Sequence, residues 1–268
     1  MVRLLDIVLP RGSRWEIDKR TTQVKYAGIE VVDTQLIRDA VEFARSTHEP
    51  FLYNHVMRSW LFAVVLGEKM KAAPDPELVA AAALLHDLGL TEKFAAEARF
   101  EVDGANAARS FLQARGVAPH QVQLVWDAIA LHAQGSIALY KEPEVSVIFE
   151  GVNVDAVGYA FDRIPPSQMK AILSEFPRLG MKKGITACFT KVAREKPQTT
   201  YDNGLRDFGL KFVEGYHVAM TGPDLIANAP FEDCWVTPGI GRVLTAKAEV
   251  LSVAWKPCKV PSAAASAF

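Results

Sequence analysis

Leu78-Val-Ala-Ala-Ala-Ala-Leu-Leu85 runs directly into His86-Asp87. An apolar run of this kind, with no polar stripe, describes a helix buried on every side. Asp75-Pro76 opens it, an N-cap residue followed by proline at the first helical position, and Gly89 closes it. Two ionisable groups at the end of such a helix are costly to bury unless each finds a partner. An isolated carboxylate there must take up a proton or meet a cation. Neighbouring helical residues point ~100° apart, so both can touch an ion lying beside the last turn. The alternative is that His86 only caps the helix and Asp87 faces solvent.

The preceding segment decides between these. From about Pro50 to Lys71, Leu52, His55, Val56, Ser59, Phe62 and Leu66 fall on one helical stripe, which projects His55 into the core. Asn54 and Arg58, four apart on an adjacent face, reach toward the same cavity as candidate substrate contacts. Downstream, the helix predicted over Pro143 to Tyr159 carries Asp155 on the face marked by Val145, Ile148, Phe149, Val152, Ala156 and Tyr159. A carboxylate among valines needs a cation or strong hydrogen bonds. His55, His86, Asp87 and Asp155 together make a mixed nitrogen and oxygen set. Such a set suits one divalent ion, zinc first, with iron or manganese as alternatives.

Around these residues the pattern is helical. Residues 1 to about 32 show short β-like runs, Leu4 to Leu9 and Val24 to Val32, and from Asp33 a 3.6-residue periodicity takes over. Helices are predicted from Asp33 as cap through Thr47, then at Gly104 to Arg115, Pro119 to Ala133, Pro166 to Phe176, Lys182 to Glu195 and Gly204 to Glu214. The expected architecture is an all-α bundle over residues 33–217, with a 1–32 extension before it and a partly irregular 218–268 extension after it, in which Val243 to Val253 is compatible with a strand or a short helix. Gly239-Ile-Gly241 lacks the third glycine of a dinucleotide loop and reads as an ordinary turn. Ser262 to Phe268 reads as a disordered tail.

Composition narrows the function classes. Half of the 268 residues are hydrophobic and the net charge is -1, so no global field attracts nucleic acid or an anionic membrane. The three cysteines are widely spaced, which fits a reducing cytosol better than a disulfide scaffold. Asp6 interrupts the short apolar run at the start, and no stretch of 18 apolar residues is present. These features give an expectation of a cytoplasmic protein acting on a small molecule. A helical domain with an extended tail is also compatible with a homo-oligomer.

A histidine, then His-Asp, then a distant aspartate, all on helices, resembles the HD-domain metal-dependent hydrolases. Within residues 34 to 216, four stretches are similar to the cyanamide hydratase branch: Leu52 to Trp60, Leu84 to Gly89, Phe100 to Ala105 and Trp126 to His132. Phe176-Pro-Arg178, Cys188-Phe189 and Lys196-Pro197 add to the likeness. Two-metal members carry a histidine four residues before a Gly-Ala pair, and here Phe100 stands before Gly104-Ala105. The resemblance therefore implies one metal ion, with His132 freed for substrate contact or proton transfer. Glu101 is either part of the site or, with Asp103, a solvated first turn. His132, Asp87 and Glu101 are the candidate catalytic groups. His48, His120 and His217 are read as peripheral.

The implied chemistry is hydration of a small nitrile. The ion lowers the pKa of a water toward ~7, hydroxide attacks the nitrile carbon, and His132 or Asp87 relays a proton to nitrogen. A rival reading is a nucleotide phosphomonoesterase, with Arg58 and Lys93 on the phosphate. The scarcity of positive charge near the dyad argues against it. A third reading, of another class, is a non-catalytic metal-dependent ligand-binding module.

Overall fold

The structure is a computed structural model, and it describes residues 22–219 and 221–231. The runs at Leu4 to Leu9, Gly239 to Gly241, Val243 to Val253 and Ser262 to Phe268 lie outside the described residues. Contacts divide the chain into two units, Met1–His217 and Val218–Phe268.

The first unit is mostly α-helical with a short hairpin in front, as the sequence pattern predicts. Strands β1 (Thr22–Tyr26) and β2 (Ile29–Asp33) pair antiparallel through the two-residue turn Ala27-Gly28. Both turn residues have positive φ, +50° and +77°, the geometry whose twist matches a two-residue hairpin. The Ala27 N–H donates to the Glu175 carboxylate at 2.6 Å, which ties the turn down. Ile29 and Val31 are buried in the main core, and Tyr26 packs on Trp60 and Phe176. Residues 22–33 are thus built into the helical unit.

Helices α1 (Gln35–Thr47), α2 (Pro50–Gly67), α3 (Pro76–Leu85), α4 (Phe100–Gln113), α5 (Pro119–Ala130) and α6 (Gly135–Ala138) follow. Then come α7 (Pro143–Val157), α8 (Pro166–Glu175), α9 (Met181–Glu195) and α10 (Leu205–Phe212). The cap of α1 is Thr34, whose hydroxyl accepts from the Ile37 N–H, while Asp33 ends the hairpin and pairs with Arg38. Helix α3 is apolar and buried from Leu78 to Leu85, and Asp75 accepts from the Glu77 and Leu78 N–H groups as its cap. It ends before the dyad, and Leu88–Leu90 adds a 3₁₀ turn. Helix α4 begins one turn earlier than the periodicity indicates, at Phe100, and so carries Glu101 and Asp103 into the interior.

Glycines set the closest approaches in this bundle. A β-carbon on Gly89 would lie 2.0 Å from the Phe100 carbonyl oxygen, and one on Gly104 would lie 2.9 Å from the His86 carbonyl. Backbone therefore touches backbone between the turn after the dyad and the start of α4. A β-carbon on Gly151 would meet the Ser59 carbonyl and Ala63 at 2.7 Å, so α2 and α7 are equally close. These contacts bring residues 55, 86, 87, 101 and 155 into one region.

In the second unit, residues Gly222–Ala227 form α11 behind a capping box. Thr221 accepts from the Asp224 N–H, and the Asp224 carboxylate accepts from the Thr221 N–H. The sequence signature of this start is Thr221-Gly-Pro-Asp224.

Candidate metal centre

His55 leaves the middle of α2, and His86 and Asp87 leave the end of α3. All three are buried. His55 Nε2 and His86 Nε2 are 3.3 Å apart, and Asp87 Oδ2 lies 3.6 Å and 3.3 Å from them respectively. The proton positions follow from the opposite edges of the rings. His86 Nδ1 is 2.8 Å from the Ala83 carbonyl oxygen, which can only accept, so Nδ1 carries the hydrogen. His55 Nδ1 is 2.6 Å from Asp155 Oδ2, with the same consequence. In their neutral forms both rings therefore present Nε2 lone pairs to each other and to Asp87 Oδ2, which has no hydrogen-bond partner although it is buried. Three converging lone pairs with no proton between them repel unless a cation intervenes. The donor set fits a divalent ion, and the orphaned carboxylate oxygen is the observation that makes the fit specific.

The local pKa values report the same field. Burial opposes charge on His86, but Asp87 outweighs it and raises the ring's pKa above the ordinary value. Burial also works against the Asp87 carboxylate, yet His86 and then His55 and His132 hold it well below the usual carboxylate range. The force that would draw a proton to this point is the force that would draw a metal.

Asp155 is not one of the three converging groups. It lies behind His55, and each of its oxygens is already engaged. Oδ2 accepts from His55 Nδ1 at 2.6 Å and from Arg58 Nη2 at 2.7 Å. Oδ1 accepts from Arg58 Nε at 2.8 Å and from Arg178 Nη1 at 2.7 Å. Asp155 thus orients His55 from the rear, an arrangement common behind metal-binding imidazoles. Arg58, fully buried, spends its remaining donor on the Phe176 and Pro177 carbonyls. Asn54 donates to Pro177 O at 2.8 Å. The expected substrate contacts Asn54 and Arg58 accordingly sit on the rear wall and do not border the cavity in front of the dyad. Lys93, the second expected phosphate contact, lies over the Phe43 and Phe94 rings and borders a different hollow.

The front cavity, of about 180 Å³, is bordered by His55, His86, Asp87, Glu101, His132 and Asn153, with apolar side chains from α4, α7, α9 and α10 around them. His132 stacks edge-on between His86 (centroids 4.8 Å apart) and Phe100 (5.6 Å). Its Nδ1 donates to the Ile129 carbonyl at 2.6 Å, which leaves the Nε2 lone pair free. Burial, then the neighbouring His86, pushes its pKa down to about 4, so the ring is neutral near pH 7. Glu101 is buried rather than solvated, and it pairs with Arg99 at 2.8 Å. Phe100 fills its place with a buried ring.

A lysine outside the cavity ties two elements together. Lys196 Nζ donates to Ala96 O, Ala98 O and Asp103 Oδ2 at 2.7–2.8 Å, which joins the end of α9 to the turn before α4.

Residues 52–151 match the family model described as HD domain. This segment carries an HD-domain fold. It contains His55, His86 and Asp87, while Asp155 lies just beyond it. No curated protein matches the chain. Among the described residues, no helix is long and apolar enough to cross a membrane.

Three further features escaped the sequence reading. His48 is buried rather than peripheral: its Nδ1 donates to Ala44 O, and burial lowers its pKa to about 4. His120 and His217 are exposed. Arg178 was legible only as part of Phe-Pro-Arg, with no signal that it would grip Asp155. Asn153, a polar residue on α7, joins His132 and Glu101 on the cavity wall, and its only sequence signal is a polar side chain among apolar neighbours.

Proposed function

We propose that this protein is a metal-dependent hydratase or hydrolase of a small uncharged molecule, and that hydration of a nitrile of the cyanamide type is its reaction. The observation that carries the reading is the pairing of the His55, His86 and Asp87 lone pairs with a small cavity that no lysine or arginine borders, among the described residues. When bound by those three side chains, a divalent ion (zinc is the first choice for two imidazoles and a carboxylate) supplies acidified water as a nucleophile at neutral pH.

The protein's own groups divide the remaining work. Asp155, held by Arg58 and Arg178, keeps His55 in the tautomer that turns Nε2 forward. His132 offers a neutral Nε2 on the cavity wall, able to take a proton and return it to the nitrogen of the substrate. Glu101 adds a carboxylate on the same wall. Apolar side chains from α9 and α10 exclude bulk water.

The phosphomonoesterase alternative lacks support from the geometry, since Arg58 is committed to Asp155 and Lys93 stands elsewhere. The test is direct. Protein purified without chelator should hold about one equivalent of zinc and release urea from cyanamide. Phosphate release from nucleoside monophosphates, without urea, would replace this reading by the phosphatase one. A metal-loaded protein inert toward both substrates would support a ligand-binding module.

A further inference from the structure

What a cavity recognises depends on what its polar side chains have left to offer. Asn153, on α7, borders the cavity, and its Nδ2 donates to the His132 carbonyl at 2.9 Å and to the Phe149 carbonyl at 2.8 Å. Both neighbours are carbonyl oxygens, so only the nitrogen can face them, and the orientation of the amide is fixed. Both amide hydrogens are spent. Oδ1 accepts from no donor among the described residues and is the group that Asn153 brings to the cavity.

The other polar groups on that wall are alike. His132 donates through Nδ1 to Ile129 and shows a lone pair at Nε2. Glu101 accepts from Arg99 through Oε1 and has a second oxygen. The half-buried amides of Gln134 and Asn203 are the exceptions, and Asn203 Oδ1 already accepts from the Leu205 N–H. Three fixed acceptors converge on a space of about 180 Å³. An anion placed against these three groups would meet only their lone pairs. A molecule without hydrogens to donate would leave buried acceptors unmatched, and a site built around a hydrogen bond rejects such an analogue strongly.

The geometry points to Asn153 as a specificity-determining residue whose Oδ1 reads an N–H group on a small uncharged substrate. This rests on the reading of the site as one for small uncharged molecules and adds to it a required hydrogen-bond donor, without requiring a nitrile.

Cyanamide and acetonitrile test it, because they share the nitrile and nearly the same size while one ends in NH2 and the other in CH3. Urea and acetone repeat the contrast without a nitrile. Binding of each to the metal-loaded full chain is measured by ligand-observed NMR titration, beside a urea-release assay. Wild-type protein should prefer the N–H partner in both pairs by roughly tenfold, and Asn153→Leu should bring both ratios within about twofold. Asn153→Thr, whose hydroxyl can still satisfy the Phe149 carbonyl, is the second variant if leucine prevents folding. Equal wild-type affinities within the pairs overturn the inference, as does a variant that folds and keeps the preference. If neither variant folds, the wild-type ratios decide. Preference without cyanamide turnover supports the donor reading and sinks the nitrile one. Turnover without preference does the reverse.

Discussion

Asp155 and Asn153 stand two residues apart on one helix and face opposite conditions. Behind the metal centre, Asp155 has four donors on two oxygens, from His55, Arg58 and Arg178, and Arg58 adds two backbone carbonyls. In front of it, Asn153 Oδ1, His132 Nε2 and Asp87 Oδ2 have no protein donor among the described residues. A fully satisfied polar network rigidifies its neighbourhood, whereas an unsatisfied buried group costs stability unless a ligand supplies what is missing. The rear wall is therefore framework, and the front wall holds the groups that a cation and, in the proposed reading, a substrate would complete.

Substitutions on the two walls should separate activity from stability. The largest effect is expected from His132→Ala on the front wall, a loss of about 10²- to 10⁴-fold in urea release from cyanamide, the range for a proton-transferring group. Its urea unfolding midpoint should shift little. A variant with wild-type turnover would remove His132 from the proton path. On the rear wall, Arg58→Met should cost roughly 3 kcal/mol of unfolding free energy, because it leaves the buried carboxylate of Asp155 short of its main partner. A loss of activity at unchanged stability would mean that the two walls are not so divided.

Metal removal comes next in size. A ligand at about 100 times its dissociation constant stabilises by about 2.7 kcal/mol. Chelation should accordingly lower the melting temperature, and Asp87→Asn should abolish that response.

The smallest effect concerns pH. His48 and His132 have folded-state pKa values lowered to about 4 from an ordinary 6.5, so the unfolded chain binds more protons between those limits. Stability must then rise with pH across that window and be lost as pH falls through it, with a slope of up to about 1.4 kcal/mol per pH unit for each ring. His86, with its raised pKa, acts in the opposite sense above 6.5. His48→Leu should roughly halve the slope in unfolding measurements at pH 5 and pH 6. An unchanged slope would place the missing protons elsewhere.

Much of this was legible in the sequence, for identifiable reasons. The apolar run from Leu78 to Leu85 has no polar side to expose, so its burial and the placing of His86-Asp87 at its end follow from composition alone. His55 and Asp155 were found because helical periodicity places each within an apolar stripe. The role of Asp155 was not legible: periodicity gives a face, and only coordinates show that Arg58 and Arg178 reach its oxygens first. Helix α4 was started late because Phe100 to Asp103 offers no cap, and the contact between Gly89 and Gly104 that holds this turn inside spans separate elements. His48 looked peripheral because it ends α1, yet the chain turns back into α2 immediately after it. Ala156 and Tyr159 were assigned to the inner face of α7 and are exposed, since the helix ends at Gly158 in the left-handed conformation.

The three bonds of Lys196 hold together segments that are far apart in the chain. Its ammonium has no hydrogen left over, and it fastens the end of α9, ahead of the Asn203 to Phe208 rim, to the turn ahead of Phe100 and Glu101. The two segments are thereby riveted through one atom, and separating them breaks three charge-assisted bonds at once. Loss of that one ammonium would therefore loosen, at a single stroke, the segments that lead into two parts of the cavity lining.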